Sequence, residues 1–118
     1  MTVTFVTPRR AAYAGLALLL LAACLFVSGP WWQAVVFGLA PDLPLLGGLS
    51  HDLRRGQLHP RAVPFYNALH TFVAPALVGL AFVLLGLSPL GPLAWALHIA
   101  FDRTLGYGLR TRDGFQRS

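Results

Sequence analysis

The sequence predicts an all-α fold, a four-helix transmembrane bundle with both termini on the cytoplasmic side and helix two broken at Pro41–Pro44. Three observations carry this expectation. Of the 118 residues, 56 % are hydrophobic and 11 % are charged, against roughly 25 % charged in ordinary globular domains. The apolar residues gather in four runs near the ~17–25 residues that span a hydrocarbon core. The arginines other than Arg103 lie between or beyond those runs. One integral membrane domain over residues 1–118 is expected, with helices at about 11–28, 31–50, 62–87 and 92–109 and a cytoplasmic loop at 51–61.

The first helix follows Arg9 and Arg10 and is uncharged and rich in leucine and alanine. Two arginines before an apolar stretch also have the shape of a signal peptide, and Leu21-Ala22-Ala23-Cys24 resembles a bacterial lipobox. A lipobox cysteine is followed by polar residues, whereas Leu25, Phe26 and Val27 continue the run, so a retained helix is expected, with Cys24 packing or facing lipid. Ser28-Gly29-Pro30 ends it, and Trp31-Trp32 opens the second helix with side chains favoured at the headgroup level. Within that helix Pro41 and Pro44 lack N–H groups, which predicts freed carbonyls at Phe37 and Ala40 and a kink near Asp42. Asp42 also has a purely structural role available to it, capping the second half-helix.

Residues 51–61 (HDLRRGQLHPR) form the one strongly polar interior segment, and His51, Asp52 and His59 are read as solvated loop residues. In the third helix Asn67, His70, Ala74, Leu77 and Ala81 make a face of small or polar residues, the usual bundle-facing pattern in membranes. Pro75 predicts a freed carbonyl at Thr71, beside His70. The connection Ser88–Pro92 carries no charge, and the fourth helix ends in a basic tail.

All nine basic residues are arginine and the net charge is +5. A nucleic-acid site requires basic residues interleaved with aromatic or hydrogen-bonding groups on one surface. Here the arginines other than Arg103 flank apolar runs, so they are read as anchors at an anionic leaflet; the expected partner is the lipid bilayer, not nucleic acid. Arginines occupy the N-terminal lead-in, the 51–61 loop and the C-terminal end. Four spans then place all three inside, and a bacterial inner-membrane, multi-pass protein is expected. One cysteine excludes an intramolecular disulfide.

The apolar runs contain four ionisable residues that ask for partners, because an unpaired imidazole or carboxylate among hydrocarbon is costly. His98 and Asp102 are four apart and share a helix face. With ~1.5 Å rise per residue, Asp42, His70 and Asp102 fall at one depth in the cytoplasmic half, and His98 one turn deeper. Three readings remain open on the residues alone. In the first, Asp42, His70, His98 and Asp102 bind one divalent metal, zinc, manganese or iron. Asn67 then stands behind them as a donor or further ligand, and the metal activates water for hydrolysis near the cytoplasmic interface. In the second, the same residues form a metal-free network that locks the helices together. In the third, they relay protons as part of a transporter, for which four short helices need a homo-oligomer. Arg103, about 100° from Asp102 around the helix, is expected to snorkel or meet a neighbouring helix. Gly106-Tyr107-Gly108 reads as a packing element.

The segments PDLPLLG (Pro41 to Gly47), YNALHTFVAP (Tyr66 to Pro75) and LHIAFDRTLGYGLR (Leu97 to Arg110) together resemble the family of small bacterial membrane proteins catalogued as domain of unknown function 4260. The resemblance covers nearly all of Ala11 to Arg110 and implies a multi-span membrane protein with no assigned activity, whose characteristic segments contain Asp42, Asn67, His70, His98 and Asp102. The order of a PD pair, a histidine, and a later His and Asp is more faintly similar to membrane-bound proteins predicted to be metal-dependent hydrolases. The histidine–arginine pair of that group's first histidine motif is missing here.

Overall fold

A computed structural model describes residues 7–47 and 53–116. These residues are helical, with no strand among them beyond a single bridge between Arg110 and Gln116. Helix α1 (Pro8–Phe26) begins earlier than the apolar run because Thr7 and Pro8 start it: the Thr7 hydroxyl accepts the Arg10 N–H at 3.1 Å, and Pro8 occupies the first helical position, where its missing N–H costs nothing. Helix α2 (Trp31–Leu39) is followed by a 3₁₀ turn at Ala40–Asp42 and by α3 (Leu43–Gly47).

The break at Pro41–Pro44 is thus a tightened turn rather than a gap. The Ala40 carbonyl, expected to be free opposite Pro44, accepts the Leu43 N–H instead. After a 3₁₀ turn at Pro60–Ala62 come α4 (Val63–Leu69) and α5 (Val73–Leu84), then α6 (Leu90–Thr104).

The expected third helix, 62–87, is therefore two helices. The segment Pro60–Leu69 and the helix Val73–Leu84 are bent by 48° at the His70–Phe72 break. Pro75 cannot donate to Thr71, and the chain leaves the α-helical pattern there. The fourth helix stops at Thr104 rather than 109. Gly106 takes φ +95° and its N–H reaches the Arg103 carbonyl, while the Tyr107 N–H reaches that of Asp102. That is a Schellman end, which a glycine in the left-handed region makes inexpensive.

Helix α6 is the axis of the fold: α1, α2 and α5 all pack on it, and its residues Leu90, Gly91, Ala94, Trp95, Ile99 and Ala100 are buried. Its first turn is held by a side chain, the buried Gln33, whose Oε1 accepts the Gly91 N–H at 2.6 Å. Gln33→Leu keeps the bulk and orphans that N–H, so a loss of about 1–2 kcal/mol is expected in apparent stability measured in detergent.

The segments that carry arginine meet at one end of the molecule. Arg10 Nε donates to the Thr104 carbonyl at 2.8 Å, the Leu58 N–H to the Gly114 carbonyl at 2.8 Å, and Gln57 to the Asp113 carbonyl at 2.7 Å. The two uncharged turns meet at another place, where the Ser88 hydroxyl donates to the Ser28 carbonyl at 2.7 Å. His59, read as solvated, caps the turn after it by accepting the Arg61 N–H. His51 and Asp52 lie outside the described residues.

The exterior is as apolar as the interior, where Leu58, Val63, Tyr66, Trp95 and Ile99 are among the buried side chains. Leu18, Leu19, Leu25, Phe26 and Trp31 are exposed, none of α1 is buried, and the buried polar side chains are Gln33 and His70. Helix α1 is long and apolar enough to cross a membrane, with mean hydropathy 1.6, and the bent pair at Pro60–Leu69 and Val73–Leu84 passes the same test together. At fifteen residues, α6 rises only about 22 Å.

Candidate metal centre

Asp42, His70, His98 and Asp102 come together, each offering one ligand atom, with those atoms all within 4.8 Å of one another. Each of the four comes from a different local device. Asp42 sits in the 3₁₀ turn forced by the two prolines, and His70 is the last residue before the break ahead of Pro75. His98 and Asp102 stand one turn apart on α6.

Both imidazoles are aimed by backbone that the helix irregularities make available. The His70 N–H bonds the Asn67 carbonyl, a 3₁₀ step, which leaves the Tyr66 carbonyl to accept from His70 Nδ1 at 2.7 Å. His98 Nδ1 lies 2.8 Å from the Gly38 carbonyl, just before the Pro41–Pro44 turn. A carbonyl can only accept, so in both rings Nδ1 carries a proton and Nε2 faces the carboxylates.

Those Nε2 atoms lie midway between two carboxylates. His70 Nε2 is 3.2 Å from Asp42 Oδ1 and 3.4 Å from Asp102 Oδ2; His98 Nε2 is 3.2 Å and 3.3 Å from the same two atoms. A charge-assisted N–H···O⁻ bond draws in to about 2.7–2.9 Å. All four separations are longer, and the two to Asp42 Oδ1, at 3.2 Å, are still hydrogen bonds. A regular tetrahedron with edges like these four has its centre about 2.0 Å from each corner, in the Zn–N and Zn–O range of about 2.0–2.2 Å, and the two remaining separations are no more than 4.8 Å. With both rings neutral, the cage holds two anionic oxygens and two nitrogen lone pairs, the donor set of a divalent cation.

His70 is almost fully buried, whereas the Asp42 side chain is 44 % exposed, so Asp42 is the ligand facing the outside. Tyr66, which the sequence did not single out, stacks on His70 with ring centroids 3.9 Å apart and fixes the plane of the imidazole. Its position one turn before His70, on the same helix face, was the signal for it. Trp95 braces the same break by donating to the Leu69 carbonyl at 2.7 Å.

Asn67 does not join the four. Both ends of its amide are taken by the Arg110 backbone, Oδ1 accepting the N–H at 2.7 Å and Nδ2 donating to the carbonyl at 3.0 Å, so it fastens the C-terminal segment instead of backing a ligand. Arg103 meets neighbouring segments, as its position off the Asp102 face suggested: Nη2 donates to the His70 carbonyl at 3.1 Å and Nη1 to the Tyr13 hydroxyl at 3.4 Å.

No curated protein and no solved structure matches the chain. A family model, described as domain of unknown function DUF4260, matches residues 9–118, which takes in all of the helices above but Pro8 and all four residues of the cage. The chain belongs to the DUF4260 family.

Proposed function

We propose that Asp42, His70, His98 and Asp102 bind one divalent transition metal, with zinc as the best fit, and that the protein is a small metal-dependent hydrolase of the bacterial inner membrane. The observation that carries the reading is the set of four Nε2–Oδ separations at 3.2–3.4 Å, longer than charge-assisted bonds usually are and suited to a shared central cation. When bound, such a metal polarises a carbonyl or phosphoryl oxygen and makes water a better nucleophile. The protein's part is to aim two imidazoles through the Tyr66 and Gly38 carbonyls and to leave one edge, at Asp42, open to a substrate.

The membrane part of the reading is a single domain over residues 1–118 crossing four times, both termini and the 51–61 loop inside. It is supported by the apolar exterior, by the meeting of the arginine-bearing segments at one end, and by the uncharged turns kept apart from it. Lipid esters are the substrate class that fits. An apolar groove of about 570 Å³, walled by Cys24, Val35, Leu97 and Phe101, reaches His98 and has the chemistry to take an acyl chain.

Elemental analysis of the full chain purified in detergent tests the reading. Close to one equivalent of zinc, manganese or iron is expected, falling to background in a His70→Ala, His98→Ala double variant. Wild-type protein that retains no stoichiometric metal after exposure to each ion overturns it. A metal-free relay is the second reading, favoured by the approach of one carboxylate oxygen to both imidazoles, and it is what that outcome would leave standing.

A further inference from the structure

The C-terminal segment reaches the cage through Tyr66. The Tyr66 ring stacks on the His70 imidazole with centroids 3.9 Å apart and planes 15° from parallel. The Arg110 guanidinium lies over the same ring, 4.9 Å from its centroid, and the Tyr66 hydroxyl accepts from Gln116 Nε2 at 3.3 Å. Tyr66 is only 3 % exposed. A ring packed that closely takes its position from every neighbour at once, so a change on the tail side is passed to the imidazole.

The tail docks as a folded unit. Arg110 and Gln116 pair in an antiparallel bridge, the Thr111 N–H donates to the Phe115 carbonyl at 2.8 Å, and Gln116 Oε1 accepts the Gly108 N–H at 3.0 Å. Its attachment to α4 is the Asn67 amide, which holds both backbone polar groups of Arg110. Asn67 follows Tyr66 on α4, and that helix ends at His70. The helix that presents the histidine is therefore the one the tail clasps.

We infer that the segment 108–116 is a latch that sets the plane of the His70 imidazole through Tyr66, with Arg110 and Gln116 as positioning residues. The coupling of tail to ring concerns this chain alone, whereas its effect on metal affinity rests on the metal reading of the cage. Removing a group that orients a metal ligand typically costs about 10–100-fold in affinity. Linkage is reciprocal, so a metal that prefers the latched form strengthens the latch by the same factor.

Nuclear magnetic resonance of the ring N–H groups, on full-length protein carrying isotope-labelled histidine in detergent with a chelator, tests the coupling. The Nδ1–H groups of His70 and His98 both point at carbonyls, those of Tyr66 and Gly38, and the first belongs to the ring stacked on Tyr66. Asn67→Ala, which releases the tail, is expected to shift the His70 resonance and to leave that of His98 unmoved. Gln116→Ala, a milder release, shifts it in the same direction by less. In a Tyr66→Leu background Asn67→Ala no longer shifts it, a result that general loosening would not give. Competition titration with zinc reads the consequence: Asn67→Ala and Arg110→Met are each expected to bind about tenfold or more weakly than wild type. A His70 resonance unmoved in both Asn67→Ala and Gln116→Ala, or equal movement of the two histidine resonances, overturns the latch whether or not zinc binds. Unchanged zinc affinity in both affinity variants overturns its effect on the cage. A His70 resonance that follows the tail in a protein that takes up no zinc upholds the latch and overturns the metal reading instead.

Discussion

His70→Ala is expected to abolish binding of the proposed metal and to cost about 3–5 kcal/mol in apparent stability, the largest effect of any single substitution considered. The magnitude follows from what the change leaves behind. His70 is nearly fully buried, and its Nε2 faces two carboxylates; removing one partner from a buried charged group is far more damaging than removing both. Alanine also opens a space beneath the Tyr66 ring, which stacks on the imidazole, and frees the Tyr66 carbonyl that accepts from Nδ1. Thermal denaturation in detergent, with and without a chelator, separates the causes. A bound metal stabilises by about 2.7 kcal/mol at a concentration of 100 Kd. Chelation is therefore expected to lower the wild-type midpoint and to leave that of His70→Ala unmoved. A midpoint that chelator does not shift in either protein would show that the cage is held by its own charges.

The second large effect is expected at Gly114, in the C-terminal segment. Gly114 has φ +100°, and a Cβ added there would overlap the Leu58 carbonyl, while the Leu58 N–H donates to the Gly114 carbonyl at 2.8 Å. Alanine would face a strained backbone, worth roughly 1–3 kcal/mol, and would push the tail off the 53–59 loop, with loss of a hydrogen bond worth about 1 kcal/mol. A total of about 2–4 kcal/mol follows, because the obstacle is backbone, which cannot rotate away as a side chain can. Arg110 would lose its hold as well, since its Nη1 donates to the carbonyls of Gly114 at 2.7 Å and Gly56 at 3.1 Å. The checks are the thermal midpoint and the rate at which trypsin trims the chain after Arg110 or Arg112, which should rise in Gly114→Ala before the helices melt.

The tail shows why part of this architecture was not legible in the sequence. Residues 110–118 read as a polar, basic end because their charge suits a membrane surface. Nothing in a linear pattern says that Gly114 will lie against Leu58 or that Asn67 will be spent on Arg110. Such contacts depend on where the helices put the two segments, and periodicity is silent on that.

The cage was legible for the opposite reason. Hydrocarbon makes each ionisable residue expensive, so Asp42, His70, His98 and Asp102 announced themselves by where they stood, and the i, i+4 spacing of the last two fixed their shared face. The prolines announced the breaks, but which carbonyls the breaks would hand to the site was not legible: Tyr66 and Gly38 serve, whereas Ala40 is satisfied within its own turn.

X-ray absorption at the zinc, manganese and iron edges, on full-length protein in detergent, addresses the proposed metal centre most directly. A shell of nitrogen and oxygen alone at about 2.0–2.1 Å, with the outer scattering of two imidazoles, is predicted for a cation held by two histidines and two aspartates. A sulfur neighbour near 2.3 Å, a single imidazole, or no edge signal at all would contradict it.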